Sequence, residues 1–488
     1  MGGSAHKVLV AAAALAWLFA SGCTGGGDGS DERARVLVFG IDGGTWDVMD
    51  ELLAAGEMPN LKSLYDAGIH GVLESRPPAL SPVVWSTIFT GKLPKEHGVA
   101  NWKTSHSQHR KVKAVWDITS DAEIATHVFN VPSTWPPTPV TGVMLSGFPL
   151  SGSTIGGNTG AVTSREGIKT ARLAPCHTYN AEVVGEQMDA LGVGEWGPYF
   201  EAAIRGRPSW KAWMRIKRLG EDSYYLTPCY RTDADMVMSY PDEVRAQVDA
   251  ELGEPYVPEG PGWSKWAEPE TPEYLAEHLA QVARNQTRAA TMFASTPWNL
   301  LVFINTLVDR VSHPYWAYMR PDDYPTIDRD KAGRYEDVVR EAYRETDRQL
   351  GELLAPVDGK FYVVMASDHG FHSSRDKTKF IGAHHFDGIY LVAGPGLTGV
   401  EGKRVFIEDV APTILYLMGM PLGEDMAGKV MPDVLTQVGR PVKYVASYED
   451  GSLEGTDQPV DDKTWEQLKG LGYVDGESPR QQQKKKAQ

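Results

Sequence analysis

Six side chains in this sequence have the types and spacing that metal chemistry needs. Asp309 and His313 stand four positions apart in Asp-Arg-Val-Ser-His, just past an apolar run, and so can reach one ion together. Asp368 and His369 are neighbours at the end of another apolar run, where adjacent side chains diverge and can serve different sites. Asp42 closes the first such run, and His384 lies shortly before the apolar stretch Ile389–Ala393. Three carboxylates and three imidazoles make a mixed nitrogen and oxygen donor set suited to zinc, with manganese or iron as alternatives. Taken singly, an Asp at a strand end is often a turn former and a lone His is more often structural than a ligand. The joint pattern is what points to metal.

A candidate nucleophile stands apart from these. The stretch Leu-Ser-Pro-Val-Val-Trp-Ser-Thr-Ile-Phe-Thr-Gly, positions 80–91, reads as a loop entering a helix, with Ser81 at the N-cap and Pro82 at the first helical position. Backbone N–H groups and the positive end of the helix dipole then face whatever Ser81 approaches, which suits an anionic phosphoryl group. A serine hydroxyl is a weak nucleophile at neutral pH and needs a base or a metal. No Gly-x-Ser-x-Gly elbow surrounds Ser81, which argues against a hydrolase triad. The plain alternative is that Ser81 only caps its helix.

The elements that must position these residues share one format. Arg35–Ile41, Asn299–Asn305 and Lys360–Ala366 are short, β-rich and continuously apolar, as expected of strands buried on both faces of a parallel sheet, and each leads to an Asp. Amphipathic helices are expected over Asp47–Ala54, Asn60–Ala67 and Tyr335–Leu354, with another capped by Thr271, started by Pro272 and reaching about Ser295. This alternation predicts an α/β fold built on a doubly wound, mostly parallel sheet. Ligands collect outside the carboxyl ends of the strands in such sheets.

Residues 32–150 and 270–440 make up the expected core, with a cap insertion over 151–269. The insertion is rich in turns and carries Trp196, Trp210, Trp213, Trp263 and Trp266, which either shape a substrate pocket or form a small core of their own. A C-terminal extension over 441–476 and a polar, low-complexity tail over 477–488 complete the chain.

Composition narrows the function classes. The 488 residues carry a net charge of −16, with 42% hydrophobic and 23% charged residues, a globular profile whose sign argues against binding a nucleic-acid duplex. No run reaches the ~18 apolar residues of a spanning helix. Residues 1–22 have the form of a secretory signal, with an apolar stretch from Val8 to Ala20, followed by Ser-Gly-Cys and a loose linker over 23–31. The pattern resembles a bacterial lipoprotein signal, implying lipidation of Cys23, membrane attachment through it and residence in the cell envelope; a plain cleaved signal and secretion is the alternative. Cys176 and Cys229 would then either form one disulfide or remain as two thiols.

Six segments carry a resemblance: Phe-Gly-Ile-Asp-Gly-Gly-Thr-Trp-Asp from 39, the Ser81 stretch through Val99, Asp-Arg-Val-Ser-His-Pro-Tyr-Trp from 309, Ala-Ser-Asp-His-Gly-Phe from 366, Gly-Ala-His-His-Phe-Asp-Gly from 382 and Val-Phe-Ile-Glu-Asp-Val from 405. In this order they resemble the alkaline phosphatase superfamily and, within it, the type I phosphodiesterase/nucleotide pyrophosphatase family. The resemblance implies an alkaline phosphatase-like fold and two metal sites. One would use Asp309, His313 and His384. The other would use Asp42, Asp368 and His369, with Ser81 as the nucleophile bridging to substrate. His384 fits the family's Gly-x-His, which leaves His385 as a supporting residue. Ser81 replaces the family's usual Thr, and Asn101 stands one position from where the family's phosphate-holding Asn is expected. Val83 and Trp85 do not fit the Pro and Arg that a formylglycine sulfatase needs.

The reading is an exported phosphohydrolase with two divalent cations, most simply Zn2+, cleaving small phosphodiester or pyrophosphate substrates through a phospho-serine, with no obligate protein partner. A phosphomonoesterase or phosphonate-ester hydrolase on the same core is the nearest rival. Arg165, Lys169 and Lys379 are the candidates for the extra cation it would need. A catalytically silent envelope lipoprotein is the rival from another class.

Overall fold

The computed structural model describes residues 34–147, 154–155, 161–169, 176–179, 181–204, 207–227, 229–231, 237–257 and 272–453. The signal segment, Cys23, the linker to residue 31, Thr271, Trp263, Trp266 and the tail from 477 lie outside the described residues.

Ten strands form the central sheet: β1 (Arg35–Ile41), β2 (Ile69–Glu74), β3 (Thr126–Phe129), β4 (Val143–Leu145), β5 (Ser239–Tyr240), β6 (Leu300–Asn305), β7 (Phe361–Ala366), β8 (Asp387–Ala393), β9 (Val400–Glu401) and β10 (Val405–Phe406). They lie in the order β5-β4-β3-β6-β1-β7-β8-β2-β9, and β10 also pairs with β2. The three expected strands sit side by side in the middle, β6-β1-β7, all parallel, with Val38 opposite Val302 on one side and Val364 on the other. β8 runs antiparallel to both β7 and β2. The mostly parallel α/β sheet is as expected.

The continuous apolar runs serve two cores at once. Leu37, Phe39 and Ile41 of β1 face one cluster, and Val36 and Val38 face the other, the alternation that a pleated strand imposes. Helices cover both faces. α1 (Trp46–Ala54) and α2 (Pro59–Ala67) contribute to the first cluster, α3 (Ser81–Thr90) to the second, and α4 (Pro272–Ala294), α5 (Leu307–Met319), α6 (Arg329–Tyr335) and α7 (Val338–Leu354) to the first. The helix expected over 335–354 is α7, which starts three residues later, at Val338, after a turn at Glu336 and Asp337 that separates it from α6.

The insertion folds on sheets of its own. Thr154–Ile155, Cys229–Arg231, Arg207–Met214, Phe200–Ile204 and Cys176–Tyr179 form a five-stranded sheet in that order, and Ile216–Arg218, Tyr224–Leu226 and Ala161–Thr163 form a three-stranded one. Two strands separate those bearing Cys176 and Cys229. Three inter-strand steps of about 4.8 Å exceed the ~7 Å limit between the Cα atoms of a disulfide, so the arrangement disfavours the bridge. Trp196 anchors this region to α4: its indole donates 2.8 Å to Glu277 Oε1, and the Arg215 guanidinium lies 4.4 Å over its ring. Trp213 packs beside Tyr199 and Val257, a small core rather than a pocket wall.

Candidate active site

β1 delivers Asp42 to the carboxyl edge of the sheet and ends in a turn that only glycine fits. Gly43 has φ +76°, and a Cβ on it would lie 2.5 Å from Phe371 Cε2 and 3.1 Å from the Cα of Asp309. With no side chain intervening, neighbouring strand ends bond directly. Asp42 N donates to Asn305 O at 2.9 Å, and Asp309 N donates to Asp42 O at 3.0 Å. Gly43 N donates 3.2 Å to Asp368 Oδ1, and Gly44 N donates 2.8 Å to Ser367 Oγ. α5 starts immediately past β6, with Asp309 in its first turn and His313 one turn later on the same face.

The three imidazoles converge in a way that fixes their tautomers. His313 Nδ1 lies 3.2 Å from Gly382 O, His369 Nδ1 lies 3.2 Å from Gly370 O, and His384 Nδ1 lies 2.8 Å from Ala79 O. A carbonyl oxygen only accepts, so each Nδ1 carries the hydrogen and each neutral ring presents a lone pair at Nε2. Those Nε2 atoms lie 3.3 Å (His313), 3.3 Å (His384) and 3.9 Å (His369) from Asp309 Oδ1. His313 Nε2 and His384 Nε2 are 3.0 Å apart.

His369 Nε2 also approaches Asp368 Oδ2 at 3.3 Å and Asp42 Oδ1 at 3.6 Å. All six residues are buried, and Asp309 Oδ1, Asp368 Oδ2 and His369 Nε2 have no hydrogen-bond partner among the described residues. Buried lone pairs aimed at one another repel unless a cation lies between them, so the donor set fits bound divalent metal. Two groups have ligand atoms mutually within 4.8 Å: Asp42, Asp368 and His369, as expected, and Asp309, His369 and His384. His369 thus stands between the two groups, while His313 joins the second through its approach to Asp309 and His384.

Ser81 lies beside the first group, its Oγ 3.4 Å from Asp42 Oδ1. It is the first helical residue of α3 rather than the cap, a shift of one from expectation. Leu80 takes the N-cap, because its carbonyl accepts from Val83 N at 2.8 Å and Val84 N at 2.9 Å. The Ser81 hydroxyl therefore faces the Asp42 and Asp368 carboxylates and makes no cap bond to a helix amide.

Electrostatics follow from this crowding. Burial, and then the Asp368 and Asp309 carboxylates, push Asp42 well above the usual carboxylate range. Asp368 moves the same way, through burial and Asp309. His369 and His384 are lowered, chiefly by burial.

Residues 36–411 match the family model for type I phosphodiesterase/nucleotide pyrophosphatase. The chain belongs to this family. It is accordingly a hydrolase of the alkaline phosphatase superfamily, a metal-dependent group. No curated protein sequence matches the chain. Among solved structures it is similar to Ps i-CgsB, at 13% identity over 83% of this chain and 77% of that one, with a TM-score of 0.42. It is also similar to a putative sulfatase from Bacteroides thetaiotaomicron, at 11% identity over 84% and 76%, with a TM-score of 0.42. Phosphonoacetate hydrolase from Sinorhizobium meliloti matches at 15% identity over 70% and 57%, with a TM-score of 0.35.

Asn101 is fully buried in a loop shaped by Thr104, whose Oγ1 accepts from Asn101 N at 3.0 Å. His385 does not back the ligands. It is exposed on the opposite face of the Gly370–His385 hairpin, accepts from Asp387 N at 3.1 Å, and faces His372 across a shallow pocket. Arg165 is paired with Asp189 at 2.6 Å and Lys379 with Asp376 at 3.8 Å, while the side chain of Lys169 lies outside the described residues.

Three residues outside the expected set matter. Trp85 donates its indole N–H to Asp42 Oδ2 at 3.3 Å, which leaves Oδ1 for Ser81. Ser367 Oγ donates to His369 O at 2.5 Å while accepting from Gly44 N. Arg310 is a buried cation near enough to Asp42 to pull its pKa down. A charged residue immediately after Asp309, on a helix otherwise apolar at that end, was the available signal for Arg310.

Proposed function

We propose that this family member is a two-metal phosphodiesterase or pyrophosphatase whose nucleophile is Ser81. The observation that carries the reading is the set of three Nε2 lone pairs gathered on Asp309 Oδ1, with Ser81 Oγ 3.4 Å from Asp42 in the adjoining group. Asp309, His313 and His384 would hold one cation and Asp42, Asp368 and His369 the other, with zinc the simplest match to the mixed donors. Bound there, two divalent cations supply the positive charge that lowers the pKa of a coordinated hydroxyl and stabilises the phosphoryl oxygens.

Ser81 Oγ, at the start of α3 where the dipole favours an anion, forms a bond to phosphorus as the bond to the leaving oxygen breaks. Water then hydrolyses the phospho-serine, releasing a monoester or phosphate and restoring the hydroxyl. Asp42 orients Ser81, and Trp85 in turn orients Asp42. Asn101 is proposed to contact a non-bridging phosphate oxygen. Membrane attachment through a lipidated Cys23, in the cell envelope, belongs to the same proposal.

A phosphomonoesterase is the second reading; the buried Arg310, one residue past Asp309 on α5, is the cation it would use. A monoester brings one more negative charge than a diester, and Arg310 offers a counter-charge. Rates on a bis-aryl phosphate and a mono-aryl phosphate decide between them: the first reading predicts the larger kcat/KM on the diester, and the reverse order supports the second. Loss of neither activity on dialysis against a chelator would overturn both.

A further inference from the structure

Two side chains of α7 reach the two turns that present the carboxylates of the site, although α7 itself supplies no metal ligand. Tyr343 is fully buried, and its hydroxyl accepts from Thr45 N at 3.2 Å and donates to Gly43 O at 3.4 Å. Both contacts lie in the turn that follows Asp42. Gln349, also fully buried, accepts from Asn305 Nδ2 at 2.6 Å through its Oε1. Asn305 Oδ1 in turn accepts from Leu307 N at 3.0 Å, so the Asn305 side chain closes the turn from β6 into α5, two residues before Asp309.

The Gln349 amide is held from the other side. Thr287 Oγ1 donates to its Oε1 at 3.0 Å, and its Nε2 donates to Glu345 Oε1 at 3.0 Å. Glu345 is fixed by Arg284 at 3.0 Å and Arg348 at 2.6 Å. The chain of bonds therefore runs from a surface ion-pair cluster, through a buried amide, to the backbone that aims Asp309.

We infer that Tyr343 and Gln349 are positioning residues: through one rigid helix they hold the Asp42 and Asp309 turns at a fixed separation, so that both carboxylates face the same cations. The inference rests on the proposed metal sites and goes beyond the ligands themselves. Bonds that orient ligands from behind typically change metal affinity by about 10–100-fold when removed.

The test is the Zn2+ affinity of the full chain after metal is stripped by dialysis, measured by competition with a chromophoric chelator, for wild type, Tyr343→Phe, Gln349→Met and Leu350→Ala. Leu350 is buried in the apolar cluster on the same helix and has no polar group with which to bond either turn, so its variant reports general destabilisation. Tyr343→Phe and Gln349→Met are each expected to bind Zn2+ about 10–100-fold more weakly. Their turnover should recover at saturating Zn2+, a rescue that a merely destabilised chain does not show. Leu350→Ala should melt at lower temperature yet bind Zn2+ like wild type. Binding by both polar variants at wild-type strength, or an equal loss in Leu350→Ala, overturns the inference. Failure of the wild-type chain to take up Zn2+ would instead overturn the proposed metal sites.

Discussion

Ser81 and Asp42 meet inside the protein, both nearly inaccessible to solvent, so changes there remove chemistry with little change in volume. Ser81→Ala is predicted to lower kcat by a factor on the order of 10⁴–10⁶, the range seen when a nucleophile is removed, while metal content stays at the wild-type level. Metal analysis and steady-state rates on the same preparation check both halves, and undiminished turnover would take Ser81 out of the mechanism. The six candidate ligands and Ser81 were legible because metal chemistry restricts residue type sharply and because most of the six stand beside a short apolar run. Trp85, Ser367 and Arg310 were not legible as site residues. An indole inside an apolar helix and a serine at a strand end look ordinary until the fold shows what lies opposite. The Ser81 cap position was misread by one residue because Ser-Pro suits the N-cap and N1 as well as N1 and N2. The backbone separates the two, since it is the Leu80 carbonyl that accepts the first helical bonds.

At the scale of elements, the turn after β1 is the tightest constraint. Gly43→Ala would place a methyl group at φ +76°, against the Phe371 ring and the Asp309 backbone. That substitution is predicted to destabilise the protein by about 1–3 kcal/mol and to weaken metal binding with it. Urea unfolding measures the first quantity, and a variant as stable as wild type would contradict the assigned packing. The central strands could be read from sequence since their continuous runs feed two cores. The start of α7 differs from the reading by three residues, because apolar residues keep helical spacing from Tyr335 to Val339 and Ala342 across the turn at Glu336 and Asp337. The two small sheets of the insertion were also missed. Their strands are short and interrupted, so pairing partners distant in sequence, rather than local pattern, define them.

At the scale of the whole molecule, buried neutral histidines outside the proposed ligand set tie stability to pH. Burial lowers His97 and His278 to about 3 and His127 to about 4, from an ordinary value of 6.5. The folded state therefore takes up fewer protons than the unfolded one below pH ~6.5. Each of these groups leaves stability intact above that pH and costs about 1.4 kcal/mol per pH unit as the pH falls toward its folded value. His97 accepts from Val99 N at 3.1 Å and lies 3.0 Å from Thr87 Oγ1. His97→Gln keeps an amide donor and acceptor there but cannot take up a proton, so thermal melts between pH 6.5 and 4 should decline less steeply than for wild type. Parallel declines would contradict this assignment. The sheet, both cores and the convergence at its carboxyl edge bring the candidate ligands from positions 42 to 384 around one volume. Metal analysis of the purified protein tests that claim most directly. About two equivalents of a divalent transition metal per chain are expected, removable by a chelator with loss of activity; turnover of phosphoesters at full rate with no bound metal would overturn the metal sites.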